Sequence, residues 1–326
     1  MKNKIRTLKR VGWAALIALL LVLAWYGQSR VLAPWRCVRI IKIDAPASLP
    51  DTEQKSLRVA AFNIAHGRGG AYGAGNWTGL TREEIHAHLK LIADQVQEAE
   101  VDIVVLNEVD FQSTWSRGID QAQAIANYAG FAYCVEQRSI DAALPFLKFR
   151  FGNAILSKYP LRDAQVLRFA ALSKKERAFA GNHDSLLATV ETPLGDLRIL
   201  AVHFYTRSED VRVECARSVL SMMEEEELPL IALGDYNSTP SDYPNHRKSE
   251  ANENAMDLLL DSELLAVKSE ETDAEHYLTF PSASPKMAID WILSTPGIVQ
   301  EKVSVIESDL SDHLMVTAQL SIAKRE

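Results

Sequence analysis

Six apolar runs in this sequence each end in a side chain that can ligate a metal ion, hold a proton or contact an anion. They are Phe62-Asn63-Ile64, Leu106-Asn107-Glu108, Val202-His203-Phe204, Gly234-Asp235-Tyr236-Asn237, Ile289-Asp290-Trp291 and Ser311-Asp312-His313. Any one of them is ordinary, because strand ends meet solvent; Asn63 or Asp290 alone carries no functional meaning. A carboxylate, amide or imidazole at the end of all six is what that reading does not explain. Carboxylate and amide oxygens are hard ligands that suit Mg2+, which keeps several waters and takes only one or two protein carboxylates. A carboxylate beside an imidazole fixes its tautomer and stabilises the imidazolium as it forms. The two together are equipment for metal-assisted acid–base chemistry.

Such residues converge only if the chain between them supplies strands. Short apolar runs alternating with amphipathic segments begin at Leu57. Residues 57–65 and 101–107 read as buried strands, with more predicted at 131–137, 153–157, 185–191, 197–203, 229–234, 288–294 and 313–320. Thr81 and Glu84 form a capping box that opens a helix carrying Ile85, Leu89, Ile92 and Val96 on one face. Further helices are predicted near 118–129 and over 209–225, and residues 192–196 read as a turn. Many strands, few helices and apolar runs without a polar face predict two packed sheets with helices outside. No internal repeat or second shift in composition divides this region, which reads as one domain of roughly 270 residues.

Composition narrows the class further. The 326 residues are 47% hydrophobic and 24% charged, with 15 Gly and 12 Pro, which excludes collagen-like, low-complexity and wholly disordered chains. Three cysteines are too few for a disulfide scaffold, and no Cys/His cluster suggests zinc. The net charge of −8 conceals an asymmetry: residues 1–50 hold nine Lys/Arg and one acid, leaving 26 basic against 42 acidic residues beyond them. A region at −16 has no general field for a polyanion, which disfavours a nucleic-acid partner. The basic end precedes an apolar run, Val11 to Tyr26, reaching about 24 Å against a hydrocarbon core of ~30 Å. Lys9, Arg10 and Arg30 can snorkel, and Trp13, Trp25 and Tyr26 suit the interfaces. The expectation is a basic cytoplasmic end at 1–10 and a signal-anchor transmembrane helix at 11–28. A stalk at 29–55 contains a β-prone piece at 38–43, and the catalytic domain occupies 56–326, across the membrane from the cytoplasm. The alternative is a signal peptide cleaved near Gly27–Ser29, which would leave a secreted protein.

The order Asn63, Glu108, His203, Asp235-x-Asn237, Asp290, Ser311-Asp312-His313 resembles the endonuclease/exonuclease/phosphatase superfamily. The segment FGNAILSKYP, Phe151 to Pro160, is similar to that family's internal strand motif, and the resemblance spans about 57–321. It implies an α+β fold, the deoxyribonuclease I-like four-layer α/β/β/α sandwich, following the transmembrane helix. It also implies a catalytic Mg2+ (or Mn2+) and hydrolysis of a phosphate ester. The ester stays open, because this fold serves nucleases, sphingomyelinases and inositol-phosphate phosphatases alike. Carried over residue by residue, the resemblance makes Glu108 the metal ligand, supported by Asn63 and Asp312. The histidine matching His313 contacts the phosphate or its water and is oriented by Asp290. Asp235 orients or deprotonates the water, while Asn237 and His203 donate to charge developing on phosphorus. Arg150, two residues before Gly152, stands where relatives often place a Tyr or Arg facing the phosphate.

Other motifs carry less. The glycine-rich stretch after His66 lacks a P-loop Lys-Ser/Thr and reads as an active-site rim. His183 reads as a strand cap, Glu224–Glu227 as a solvated helix end, and Cys134 and Cys215 as buried thiols, while Cys37 has no evident partner. Arg68, Arg117, Arg138, Lys148, Arg150 and Arg207 are candidates for a basic rim. The expected function is hydrolysis of a small or lipid-linked phosphate ester at the membrane, with no protein partner inferred. An extracytoplasmic nuclease is the alternative, and a non-catalytic binding relative the remote one.

Overall fold

The computed structural model describes residues 2–27, 38–43, 54–70, 75, 79–144, 147–170, 184–265 and 277–322. Helix α1 (Lys2–Gly27) begins well before the apolar run and ends with it. Strand β1 (Val38–Lys42) corrects one expectation. It belongs to no free stalk but pairs antiparallel along β4, Val38 opposite Gln137 and Lys42 opposite Tyr133. It replaces β4 as the outer strand of their sheet.

The centre is built from two parallel strand–helix–strand crossovers. In the first, β2 (Leu57–Asn63) leads through α2 (Arg82–Glu98) to β3 (Ile103–Asp110). The capping box forms as the sequence requires: Thr81 accepts the Glu84 N–H, and the Glu84 carboxylate accepts the Thr81 N–H. Ile85, Leu89, Ile92 and Val96 are buried. Helix α3 (Gln121–Ala129) follows, capped by Asp120 and stopped by Gly130 at φ 79°. Strands β4 (Tyr133–Leu144) and β5 (Leu147–Ser157) form a long antiparallel ladder, longer than the predicted 131–137 and 153–157. Strands β6 (Leu161–Leu167) and β7 (Ser185–Thr192) lead to the second crossover, β8 (Gly195–His203), α4 (Glu209–Glu224) and β9 (Leu230–Asp235). The short helix α5 (Ala255–Leu260) and strands β10 (Asp290–Ser294), β11 (Ile298–Ile306) and β12 (Met315–Ile322) complete the order.

Seven strands lie in the order β1-β4-β5-β3-β2-β12-β11 and five in the order β10-β9-β8-β7-β6. Each crossover sits inside its own sheet, so β2 and β3 are parallel in one and β8 and β9 in the other. Alternation along β2 sorts the core into layers. Ala60 and Phe62 pack with Ile85, Leu89 and Ile125 of α2 and α3, while Val59 and Ala61 belong to a core shared with the five-stranded sheet and α4. Helices therefore cover both outer faces, as the α/β/β/α expectation required. Strands β6 and β11 escaped the sequence reading because they are half-exposed and interrupted by charge, and α5 because six residues are too few for a helical period.

Candidate active site

In open α/β sheets the carboxyl ends of parallel strands are where loops diverge and ligands bind. Here the two parallel pairs end at one place. Asn63 is in register with Asn107, His203 with Asp235, and Asp290 of β10 lies opposite Asp235 from the other side. Asn107 ties the sheets together: its Nδ2 donates to Asn153 Oδ1 (2.8 Å) and to the Val202 carbonyl (2.9 Å), and its Oδ1 accepts the Asp235 N–H (3.0 Å). Gly234 makes this approach possible, since its φ is 139° and a Cβ would lie 2.1 Å from the Val202 oxygen.

Asp235 is buried and held on every side. Its Oδ2 accepts from Asn63 Nδ2 and Asn237 Nδ2, both at 3.1 Å, and its Oδ1 accepts the Asn237 N–H at 2.8 Å. Burial pushes this carboxyl up to about 7; His313 and the bonds from Asn237 and Asn63 oppose it, and Asp290 adds to it. The Asn237 amide also donates to the Phe204 carbonyl at 3.0 Å, so both of its hydrogens are committed inside the protein. That departs from its expected role: its oxygen, not its N–H, is left for the cavity.

Asp290 and His313 form the expected pair. Asp290 is fully buried, and its two oxygens lie 3.2 and 2.9 Å from His313 Nδ1, which leaves Nε2 facing Asp235 Oδ2 at 3.9 Å. Burial works against a charged imidazole, but Asp290 and Asp235 outweigh it and push His313 up to about 10. Phe280 packs against the ring at 4.7 Å.

Glu108 stands at a bulge, where the β3–β5 register shifts between Leu106 and Val109, and has φ 53°. Bulges re-aim side chains beside functional sites, and this carboxylate turns into the cavity with 27% exposure. Burial would raise it, but His66, His203, His313 and Arg68 hold it at about 2. His203 Nε2 lies 4.0 Å from Glu108 Oε1 and 3.8 Å from Asp235 Oδ2; burial, only partly opposed by Glu108, lowers its basicity. Asp312 is raised by burial and also by Glu108, two carboxylates that a divalent cation between them would relieve. Glu108 and Asp312, which open onto the cavity, are thus hard-oxygen ligands suited to Mg2+ or Mn2+, whereas Asn63 is buried and its Oδ1 accepts the Ala65 N–H at 3.0 Å, with one lone pair left for a cation. Ligand atoms of Asp235, Asp290 and His313 also lie within 4.8 Å of one another. A cation there would break the Asp290–His313 bond, so the open carboxylates fit a metal better.

Glu108, Asp235, Asn237, Asp312 and His313 line a cavity of about 300 Å3 with Arg68, Arg212, Asn245, Arg247, Thr206 and Thr239, while Asn63, His203 and Asp290 are not among its lining residues. Arg150 is not among its lining residues: its Nε donates to Asp141 Oδ1 at 2.7 Å, and Asp141 also pairs with Arg138. That corrects the expectation that Arg150 faces the phosphate. Arg117 is likewise engaged, by the carbonyl of Leu80, and of the candidate rim only Arg68 reaches the cavity. The sequence reading missed Arg247, which has no motif around it, and undervalued His66. The His66 side chain is only 10% exposed and sits between Asp110 and Glu108, which outweigh burial and raise its basicity. Its signal was its place, three residues past the end of a catalytic strand. Cys134 and Cys215 are buried free thiols; Cys37 and His183 lie outside the described residues.

A sequence model described as the Endonuclease/Exonuclease/phosphatase family matches residues 60–313. No curated protein matches the chain in sequence. Among solved structures, an endonuclease/exonuclease/phosphatase from Beutenbergia cavernae is 22% identical with a TM-score of 0.57, covering 83% of this chain and 72% of that one. The human Nocturnin catalytic domain with bound sulfate is 16% identical, TM-score 0.57, over 89% and 99% of the two chains. A mannosyl-6-phosphatase from Bacteroides thetaiotaomicron is 16% identical, TM-score 0.56, over 82% and 100%. At these identities the structures testify to the fold.

Proposed function

Because the chain belongs to the endonuclease/exonuclease/phosphatase family, we propose that it is a divalent-metal-dependent hydrolase acting on a small or lipid-linked phosphate ester at a membrane. One observation carries the reading. The imidazole of His313, backed by Asp290 at 2.9 Å, turns Nε2 to Asp235 Oδ2 at 3.9 Å beside the open carboxylate of Glu108; burial raises Asp235, and Asp290 and Asp235 raise His313. The imidazole, held as a cation by its carboxylate neighbours, is placed to be the acid, and the buried carboxylate, with its raised proton affinity, to be the base. Glu108, with Asp312 and Asn63, would hold Mg2+ or Mn2+, and the bound cation would neutralise charge on the phosphoryl oxygens. Asp235 takes the proton from the attacking water. His313, kept protonated and oriented by Asp290, donates through Nε2 to the phosphate. His203, whose Nε2 lies 4.0 Å from Glu108 Oε1 and 3.8 Å from Asp235 Oδ2, is a second donor, and one well-placed donor contributes on the order of 10²-fold.

The size of the substrate is argued from charge. Nucleic acid binding without base specificity draws its affinity from many phosphate contacts. Of the cavity's arginines, Arg212 is buried against Glu209 at 2.6 Å and Arg68 lies 3.9 Å from Glu108, leaving Arg247 as the exposed cation. That suits one or two anionic groups rather than a strand. The membrane context rests on α1, of which Lys4–Trp25 is long and apolar enough to cross a bilayer and is exposed along its length, meeting the sheet at Trp25, whose ring lies 6.5 Å from that of Phe149.

The test is a screen of the purified full-length protein in detergent with Mg2+ against plasmid DNA, sphingomyelin and generic phosphodiester and monoester reporters. We expect turnover of a small or lipid ester that EDTA abolishes, with the plasmid intact. Plasmid cleavage as the fastest reaction, or turnover indifferent to EDTA, would overturn the reading.

A further inference from the structure

His66 lies in a turn where Ala65, His66 and Gly67 have φ of 45, 57 and 65°. A non-glycine residue keeps such a conformation only when its surroundings impose it, and here they are specific. His66 Nδ1 is 3.0 Å from Asp110 Oδ1, and the other Asp110 oxygen accepts the Trp115 Nε1–H at 2.6 Å. Gln121 brackets the pair: its oxygen accepts the Asp110 N–H at 2.9 Å, and its nitrogen donates to the His66 carbonyl at 2.7 Å. Gly67 leaves room for that bracket, since a Cβ there would sit 3.0 Å from Gln121 Nε2. Trp115 and Phe151 meet the imidazole edge-on, with centroids 6.0 and 5.2 Å away.

A histidine satisfied within a core turns its second nitrogen to a buried polar group of that core. His66 turns Nε2 to Glu108 Oε2, at 3.4 Å, nearer than Arg68 at 3.9 Å or His203 at 4.0 Å. Asp110 can only accept while ionised, so the Nδ1–H is fixed and the ring cannot flip without losing it; Nε2 holds Glu108 by presenting a second N–H, a protonation that Asp110 and Glu108 favour from either side of the ring. We infer that His66 is a positioning residue: with Asp110 it forms a second carboxylate–imidazole pair that holds Glu108 in the orientation in which it takes a divalent cation. The inference rests on the metal-dependent reading above. Partners of this kind behind a metal ligand commonly contribute about 10–100-fold in affinity.

Mn2+ binding to the full-length protein in detergent, followed by loss of the free-ion EPR signal, tests this without any substrate. His66→Phe keeps a ring for Trp115 and Phe151 but removes both nitrogens. It should weaken Mn2+ binding about 10–100-fold, while kcat at saturating Mn2+ falls by no more than a few-fold. Trp115→Phe removes one donor from Asp110 and should weaken binding in the same direction by less. Melting temperatures show which variants are folded; should His66→Phe unfold, Trp115→Phe decides alone. Wild-type Mn2+ affinity in the folded variants overturns the role of His66. So does a collapse of kcat that saturating Mn2+ does not restore, since that marks a direct part in the chemistry. If the wild-type protein itself binds no Mn2+, the metal-dependent reading fails, and this inference with it.

Discussion

Asn63, at the end of a strand in the seven-stranded sheet, donates its amide to Asp235 Oδ2 of the five-stranded sheet across 3.1 Å. The bond joins the two halves of the sandwich at the point where both present chemistry. It also favours the charged carboxylate against the burial that lifts Asp235 to about 7. A base must be deprotonated to work, so activity should rise with pH through that region. Removing the Asn63 donor raises Asp235 further. Asn63→Ala, assayed at saturating metal, should therefore move the ascending limb of kcat/KM to higher pH. A limb that stays in place in the folded variant would show that Asp235 is not its source.

Glu108→Gln keeps the shape of the side chain and removes its charge. Metal affinity and turnover should fall together, and the turnover lost should return only in part at high Mg2+. Wild-type turnover in excess EDTA, or unchanged metal dependence in the variant, removes Glu108 as the ligand.

Gly234→Ala tests the junction under Asp235. At φ 139° and with Val202 O at 2.1 Å from the added Cβ, backbone must move. The cost should be at least about 3 kcal/mol, or a drop in Tm of roughly 6–12 °C for a domain of this size. Thermal unfolding followed by circular dichroism reads it; a Tm within a degree of wild type would mean the sheets separate there at little cost.

The alternation of apolar residues made most of the fold legible. Runs such as Leu57–Asn63 and Ile103–Asp110 are buried on both faces, and a strand inside a sandwich has to be written that way. Val38–Lys42 was legible as a strand but not as part of the sheet, because nothing local says which edge a segment pairs with. The site residues at strand ends were legible for the same reason as the strands. Hydrogen-bond commitments were not. Asn237 faces inward to Phe204 and Arg150 is drawn to Asp141, choices made by neighbours 33 and 9 residues away. His66 shows the opposite failure: glycines around it suggested a loop, whereas Gly67 is there to admit Gln121.

The N-terminal helix carries a topological prediction. If α1 is an uncleaved anchor with residues 1–10 in the cytoplasm, protease added to spheroplasts should digest the catalytic domain and leave a short membrane-embedded stub. Protection of the domain reverses the orientation. A soluble product beginning near Arg30 would identify a cleaved signal instead.

Asp290 and His313 should behave as one unit. With Asp290 accepting the Nδ1–H, the ring is held as the imidazolium, which also carries an Nε2–H toward the cavity; without that carboxylate the ring loses its proton more readily and Nε2 no longer donates. His313→Ala should cost about 10³-fold or more in kcat, Asp290→Asn somewhat less, and the double variant little more than His313→Ala alone. Stability supplies an independent readout. The folded His313 is pushed up to about 10, above the ordinary 6.5, so the folded state binds the extra proton between those values. Its stabilisation is complete below about 6.5 and is lost as the pH rises through about 10. Asp290 is the first of the charges that raise it. Asp290→Asn should accordingly flatten the fall in Tm between pH 6.5 and 10 and lower the pH at which the His313 ring resonances titrate. If the two losses in kcat multiply, or if the His313 titration stays where it was, the histidine works without the aspartate behind it.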